Sequence, residues 1–224
     1  MTASPGTPAP VRVALVEDDV MLRGLVRALL DAQPGLEVVA EADGQATALA
    51  AVPVGGTDVA VVDIELADGN GVALGRALQA RDARVRVLLV SSHNLLPLVR
   101  SVSLEAPTAW SYLSKRSVTR PGQLVRAVAA VAHGRVVIDP ALVERSVPVA
   151  DSPLARLSAA QFRVLQLVAE GHGNGAVADE LGITPKAVEA HLTSIYRLLD
   201  LPAGANTRVG AVLAFLQHSA RPGV

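Results

Sequence analysis

Residues 13–19 read VALVEDD, an apolar run that breaks into three consecutive carboxylates, Glu17, Asp18 and Asp19. A fourth carboxylate, Asp63, closes a second apolar run, DVAVVD. Carboxylates gathered at strand ends repel one another and resist ionisation unless a positive group sits among them. Hard oxygen donors around a small cleft suit Mg²⁺, which takes one or two carboxylates and keeps places for water and phosphate. Two further residues complete the set: Ser91 ends the run VRVLLVS with a hydroxyl, and Lys115 follows AWSYLS with an ammonium. A divalent cation and a lysine facing a carboxylate are the equipment for phosphoryl transfer onto that carboxylate, since both neutralise the developing charge. Asp63 is then the nucleophile. Taken singly, each residue has an ordinary reading as a helix cap, a turn residue or a surface cation. Yet 18 of the 20 basic residues are arginines, and one of only two lysines, Lys115 and Lys186, falls where a flexible point charge is wanted.

These groups must be positioned by an alternation of short apolar runs and helix-like segments. Strands are predicted at 11–16, 36–42, 58–63, 85–91 and 109–114. Helices are predicted at 20–30, 45–52, 71–80, 95–102 and 121–133, the last with Pro121 near its first turn. The strand runs are apolar on both faces, as in a parallel sheet covered by helices on each side. That is a doubly wound five-stranded α/β domain, flavodoxin-like in type, whose ligands sit outside the carboxyl ends of the strands. Its first and third strands are neighbours, so Glu17, Asp18 and Asp63 converge.

Composition bounds the rest. The chain has 224 residues, half of them hydrophobic and 18% charged, which suits two modest domains. Aromatics are 2%, so the cores are built from Val, Leu and Ala. Cysteine is absent, which excludes disulfides and thiolate metal sites. The start, MTASPGTPAP, lacks a basic, apolar signal sequence, and no run approaches the roughly 18 apolar residues needed to cross a bilayer. A soluble cytoplasmic protein without membrane partners is the expectation. The net charge of −1 advertises no polyanion partner.

Residues 11–134 resemble a response-regulator receiver domain. The marks are VEDD with Glu17 and Asp18, VVDIELADGNG with Asp63, VSSH with Ser91, and YLSK with Tyr112 and Lys115. The resemblance implies Mg²⁺ held by Asp18, Asp63 and the backbone carbonyl of Glu65, with Glu17 acting through water. It also implies Asp63 as phosphoacceptor and Ser91 and Tyr112 as switch residues that reshape the face around the fourth helix and fifth strand. Three departures bear on rate and amplitude. Ala67 stands where the family usually has proline, which leaves the loop less rigid. Ser92 stands where a very small residue is usual, and SLEAPTAW (103–110) replaces a glycine-containing approach to the last strand.

Residues 135–153 shift in composition and read as a linker: an extended piece, a helical turn, then a Pro-flanked stretch. The first ten residues read as a disordered start. Beyond the linker no strand pattern is visible; helices are predicted near 158–170, 174–181, 185–199 and 207–218. Ser158 with Gln161 fits a capping box, and Thr184-Pro185 fits an N-cap and first helical residue. Residues 154–220, and 157–201 above all, resemble the LuxR-type helix-turn-helix of the NarL/FixJ family, with an apolar frame through Leu165, Val168, Val177, Ala178, Leu181 and Val188 and a turn at Gly182. The helix from Pro185 would enter the major groove. The family correspondence points Lys186, Glu189, Ala190, Thr193 and Arg197 at the groove and gives His191 and Asn174 backbone or structural contacts. From Asp151 onward six basic and six acidic residues cancel, whereas a DNA-binding domain usually shows a basic face. Glu189 could accept from cytosine N4 or weaken phosphate attraction. The last helix could pair two domains or pack only its own.

The leading reading is a DNA-binding response regulator, not an enzyme, served by a sensor histidine kinase, acting on double-stranded operator DNA and working as a homodimer. A second reading keeps the architecture without phosphorylation. A third, an Asp-nucleophile phosphatase of haloacid-dehalogenase type, needs a second Asp two residues after the nucleophile, where this chain has Glu65.

Overall fold

The structure, a computed structural model, describes residues 9–92, 110–120, 122–144, 146–201 and 207–220. Five parallel strands form one sheet: β1 (Val11–Val16), β2 (Leu36–Ala42), β3 (Val59–Asp63), β4 (Arg86–Ser91) and β5 (Ser111–Ser114), in the order β2-β1-β3-β4-β5. The crossover helices are α1 (Val20–Asp31), α2 (Gln45–Ala51) and α3 (Gly71–Arg81); a short α4 (Lys115–Val118) and then α5 (Gln123–Ala132) follow β5. The helix predicted at 95–102 lies outside the described residues, as do most of 103–110 and residues 1–8 of the N-terminal stretch.

Alternation along the strands explains the layers. Val13 and Leu15 of β1, with Val61, Leu88, Val90 and Leu113, face Val26 and Leu30 of α1 and Leu124, Val128 and Val131 of α5. Ala14 and Val16, with Ala60, Val62 and Leu89, face Ala48 of α2 and Leu74 and Leu78 of α3. Each buried Val or Leu contributes about 1.5–3 kcal/mol, so a core of aliphatic side chains suffices despite the scarcity of aromatics. The single Trp110 is buried against Gly75, and its indole N–H donates to Gln79 Oε1 at 2.9 Å. Helix α5 starts two residues later than predicted: its N-cap is Gly122, at φ 73°.

The segment read as a linker is packed, not a free tether. Tyr112 donates its N–H to Val137 at 2.8 Å, and a parallel bridge joins Tyr112 to Ile138, so residues 136–138 close the open edge of β5. A short α6 (Pro140–Val143) follows. Then come a 3-10 turn, α7 (Ala159–Ala169), α8 (Asn174–Leu181), α9 (Pro185–Leu198) and α10 (Thr207–His218). The capping box of Ser158 and Gln161 forms at the start of α7, and Thr184 accepts from Ala187 N–H at the start of α9. Phe162 of α7 and Phe215 of α10 place their rings 5.7 Å apart. One expectation fails: Val147–Pro148 pairs antiparallel with Ser219–Ala220. A two-residue ladder between positions some 70 residues apart has no local periodicity to announce it.

Candidate functional site

The carboxyl end of the sheet gathers the predicted acidic residues. Glu17 and Asp18 follow β1, and Asp63 ends β3, directly beside it. One oxygen from each of these three carboxylates lies within 4.8 Å of the other two. Glu17 and Asp63 are buried, and Asp18 is half-buried. Lys115, one residue beyond β5, reaches across with Nζ 2.8 Å from Glu17 Oε1 and 2.7 Å from Asp63 Oδ2. Burial holds the Glu17 carboxyl above its ordinary value; the Lys115 hydrogen bond opposes this and the Asp63 charge adds to it. Burial works to lower the Lys115 ammonium, but its bonds to Asp63 and Glu17 prevail and raise it. The pocket therefore keeps its lysine charged and uses it to offset carboxylate repulsion.

Backbone amides fix the acids. Glu65 N–H donates to Asp63 Oδ1 at 3.1 Å, and Ala67 N–H donates to Asp18 Oδ2 at 3.1 Å. The second bond is one that a proline at 67 could not make, having no N–H to give. Gly71 opens α3 against the end of β3, where a Cβ would stand 2.0 Å from the Asp63 carbonyl oxygen. Only glycine fits so close an approach. Ser91 is buried at the end of β4, in register with Ser114, and Ser92 is exposed. Tyr112 lies buried three residues before Lys115, and the Glu65 side chain is exposed.

Two residues have roles that the sequence reading missed. Asp19, the third carboxylate of the run, caps α1, accepting from Met21 and Leu22 N–H at 2.8 and 3.0 Å. Those bonds hold its pKa below the ordinary value. Asp139 is completely buried and accepts from Ser114 N–H at 2.7 Å and Ala141 N–H at 2.8 Å. It ties the residue before Lys115 to the start of α6. The Asp139-Pro140 pair was the available signal, being an N-cap followed by a first-turn proline.

The second candidate site is the outer face of α9. Lys186, Glu189, Ala190, Thr193 and Arg197 are exposed, His191 is half-buried, and Val188, Leu192 and Ile195 face the core. Spacings of three and four residues put the exposed set on one stripe. Thr193 Oγ1 donates back to the Glu189 carbonyl at 2.9 Å. Gly182, at φ 64°, ends α8 and makes the turn into α9. Asn174 does not lie on that stripe; its Oδ1 accepts from Arg208 at 2.9 Å.

Residues 13–129 match the response regulator receiver domain family, and residues 155–209 match the luxR family of bacterial regulatory proteins. The chain is 33% identical over 220 residues to the DNA-binding transcriptional activator DevR/DosR of Mycobacterium tuberculosis, a match covering 95% of this chain and 98% of that one. The chain belongs to the NarL/FixJ family of response regulators. This response regulator is also 31% identical over 191 residues to the transcriptional regulatory protein UhpA of Escherichia coli, covering 85% and 92% of the two chains. Among solved structures, the signal receiver domain of NarL from Mycobacterium tuberculosis superposes with a TM-score of 0.51 at 30% identity, covering 57% of this chain and all of that one. The fold class and the pairing of a receiver with a LuxR-type DNA-binding domain are therefore as the sequence implied. No helix among the described residues is long and apolar enough to cross a membrane.

Proposed function

We propose that this response regulator is phosphorylated on Asp63 by a sensor histidine kinase with Mg²⁺, and that it reads operator DNA as a dimer in the cytoplasm. In this reading residues 11–134 are the receiver, 135–153 the connection and 154–220 the DNA-binding domain. The single observation that carries it is the meeting of Glu17, Asp18 and Asp63 from neighbouring strand ends with Lys115 bonded across them.

The donor set fits a hard divalent cation: three carboxylates in reach of one another, held by amides, with no nitrogen or sulfur ligand among them. Asp18, Asp63, Glu17 and the Glu65 carbonyl would hold it directly or through water. Bound there, magnesium would supply positive charge to the oxygens of the transferring phosphoryl group. An Asp63 carboxylate oxygen attacks phosphorus as the P–N bond to the donor phosphohistidine breaks, and the departing imidazole takes up a proton from solvent. Lys115 then trades part of its bond with Asp63 for the new phosphoryl oxygens. Beside the pocket, Val20, Met21 and Leu25 of α1 stand exposed and give a docking kinase an apolar surface.

Ser91, at the end of β4, would donate its hydroxyl to the acyl phosphate, and Tyr112 would follow it. Output has a physical path. Tyr112 and Ser114 of β5 bond Val137 and Asp139, and Ile138 N–H bonds the Ala169 carbonyl of α7 at 2.7 Å. A shift at the end of β5 is thereby passed to the DNA-binding domain. There Lys186 and Arg197 serve phosphates, while Glu189, Ala190 and Thr193 face bases and His191 supports the backbone contacts. Helix α10 would pair two domains on a two-fold site.

The test is DNA affinity. A duplex selected from a random pool should bind wild type more tightly after treatment with acetyl phosphate and Mg²⁺, and the gain should vanish in Asp63→Ala. Tight binding by untreated wild type that acetyl phosphate does not increase would favour the phosphorylation-independent reading.

A further inference from the structure

We propose that the cleft between α5 and the α7–α8 corner is a binding site for a small phosphomonoester whose organic part carries hydroxyl or amino donors. The cleft has a volume of about 500 Å³ and is lined from both domains and the segment joining them. That size suits a small-molecule site, and domain boundaries are where such sites concentrate.

Three arginines line it: Arg126 from α5, Arg135 from the connection and Arg163 from α7. None of their guanidiniums has a hydrogen bond or ion pair among the described residues, although Lys115, Arg12 and Arg27 elsewhere are all paired. Three acids share the lining, Glu144, Glu170 and Glu180, but no ion pair ties any of the three guanidiniums to them among the described residues, so their donors stay available to a ligand. Their convergence registers on His172, which also lines the cleft. Burial lowers its pKa, Glu180 opposes this, and Arg126, Arg135 and Arg163 push it lower still. The first turn of α8 forms part of the same wall, and its N-cap is Gly173, which has no side chain to cap the helix. Guanidiniums and free helix N–H groups together make the donor array that a tetrahedral phosphate accepts.

Glu170 decides that the ligand is more than an anion. It lines the cleft with its side chain only 8% exposed, and its Oε1 has no hydrogen-bond partner. A buried carboxylate oxygen without a donor is costly and rare. Burial pushes this carboxyl up to about 7. The imidazole nitrogen nearest it, His172 Nε2, is 3.7 Å from the other oxygen, too far for a hydrogen bond. Glu144 and Glu180 line the cleft as well. A bare phosphate has only its own one or two hydroxyl protons to offer the three acids, and these sit on the anion that the guanidiniums hold, whereas a sugar phosphate brings several further hydroxyl donors.

The experiment titrates the full chain in magnesium-free buffer with ribose 5-phosphate, inorganic phosphate and ribose in separate arms, read by calorimetry and by the His172 imidazole resonance. Ribose 5-phosphate should bind one per chain, about ten-fold more tightly than inorganic phosphate, and ribose alone should not bind. Arg126→Ala and Arg163→Ala should each weaken ribose 5-phosphate about ten-fold. Glu170→Ala should weaken ribose 5-phosphate while leaving inorganic phosphate unchanged; Asp63→Ala should bind as wild type. Arg126 is exposed and Glu170 Oε1 makes no bond, and an unchanged thermal transition of each variant, with Glu170→Gln as the isosteric control, separates loss of binding from loss of fold. No saturation at millimolar concentration, equal affinity for inorganic phosphate, or loss of binding in Asp63→Ala would each overturn the assignment.

Discussion

The strand-end pocket and the outer face of α9 are both polar stretches of a largely aliphatic chain, yet they are held in opposite ways. In the pocket every acid is tied: Glu17 and Asp63 to Lys115, Asp63 to the Glu65 amide, Asp18 to the Ala67 amide. On the exposed stripe of α9, among the described residues, only the Thr193 side chain makes a bond, and that bond returns to its own helix. The pocket is preorganised for one small charged group, so its chemistry is written in its geometry. The helix stripe is a surface whose specificity comes from what it meets.

That contrast orders the consequences of mutation. Lys115→Met removes the one cation bonded to both buried acids and should slow phosphorylation by acetyl phosphate by about 10²–10³-fold; a rate within a factor of a few of wild type would show the pocket to be less preorganised than its bonds imply. Lys186→Ala should weaken binding to all duplexes alike, by about ten-fold, and reduce the slope of log affinity against log salt by about 1. An unchanged slope would remove Lys186 from the phosphate contacts. Asp19→Ala should lower Tm by a few degrees through loss of the α1 cap while leaving Mg²⁺ affinity almost unaltered. A large loss of Mg²⁺ affinity would add the third carboxylate to the pocket.

The last effect is a pH dependence. Glu170 sits at about 7 in the folded chain against 4.5 as a free group. The unfolded chain gives up this proton first, so its contribution to stability falls as pH rises through that window. Glu170→Gln cannot ionise, and its Tm relative to wild type should rise between about pH 5 and about pH 8. A constant difference would mean that the carboxyl titrates normally.

The same contrast governs what the sequence made legible. Runs such as VRVALV and DVAVVD are apolar on both faces, which places them inside a parallel sheet, and the strand ends then deliver Glu17, Asp18 and Asp63 to one edge without further information. Ser158–Gln161 and Thr184-Pro185 were readable because capping is local. Asp19 was left without a role because a helix cap and a metal ligand use the same side chain at adjacent positions. Asp139, the sealing of β5 by residues 136–138 and the Val147–Pro148 ladder were not legible, because each depends on partners distant in sequence. The charge balance of the tail, six against six, gave no sign of the α9 stripe, which was named only through the family correspondence; the structure exposes those five side chains and buries the apolar face behind them.

The most direct measurement is to locate the phosphoryl group itself. Wild-type chain is treated with acetyl phosphate and Mg²⁺, the acyl phosphate is trapped by borohydride reduction, and the modified residue is identified by peptide sequencing. The account predicts modification at Asp63 alone, with none when the divalent ion is chelated. Modification at another residue, or undiminished labelling without the ion, would contradict it.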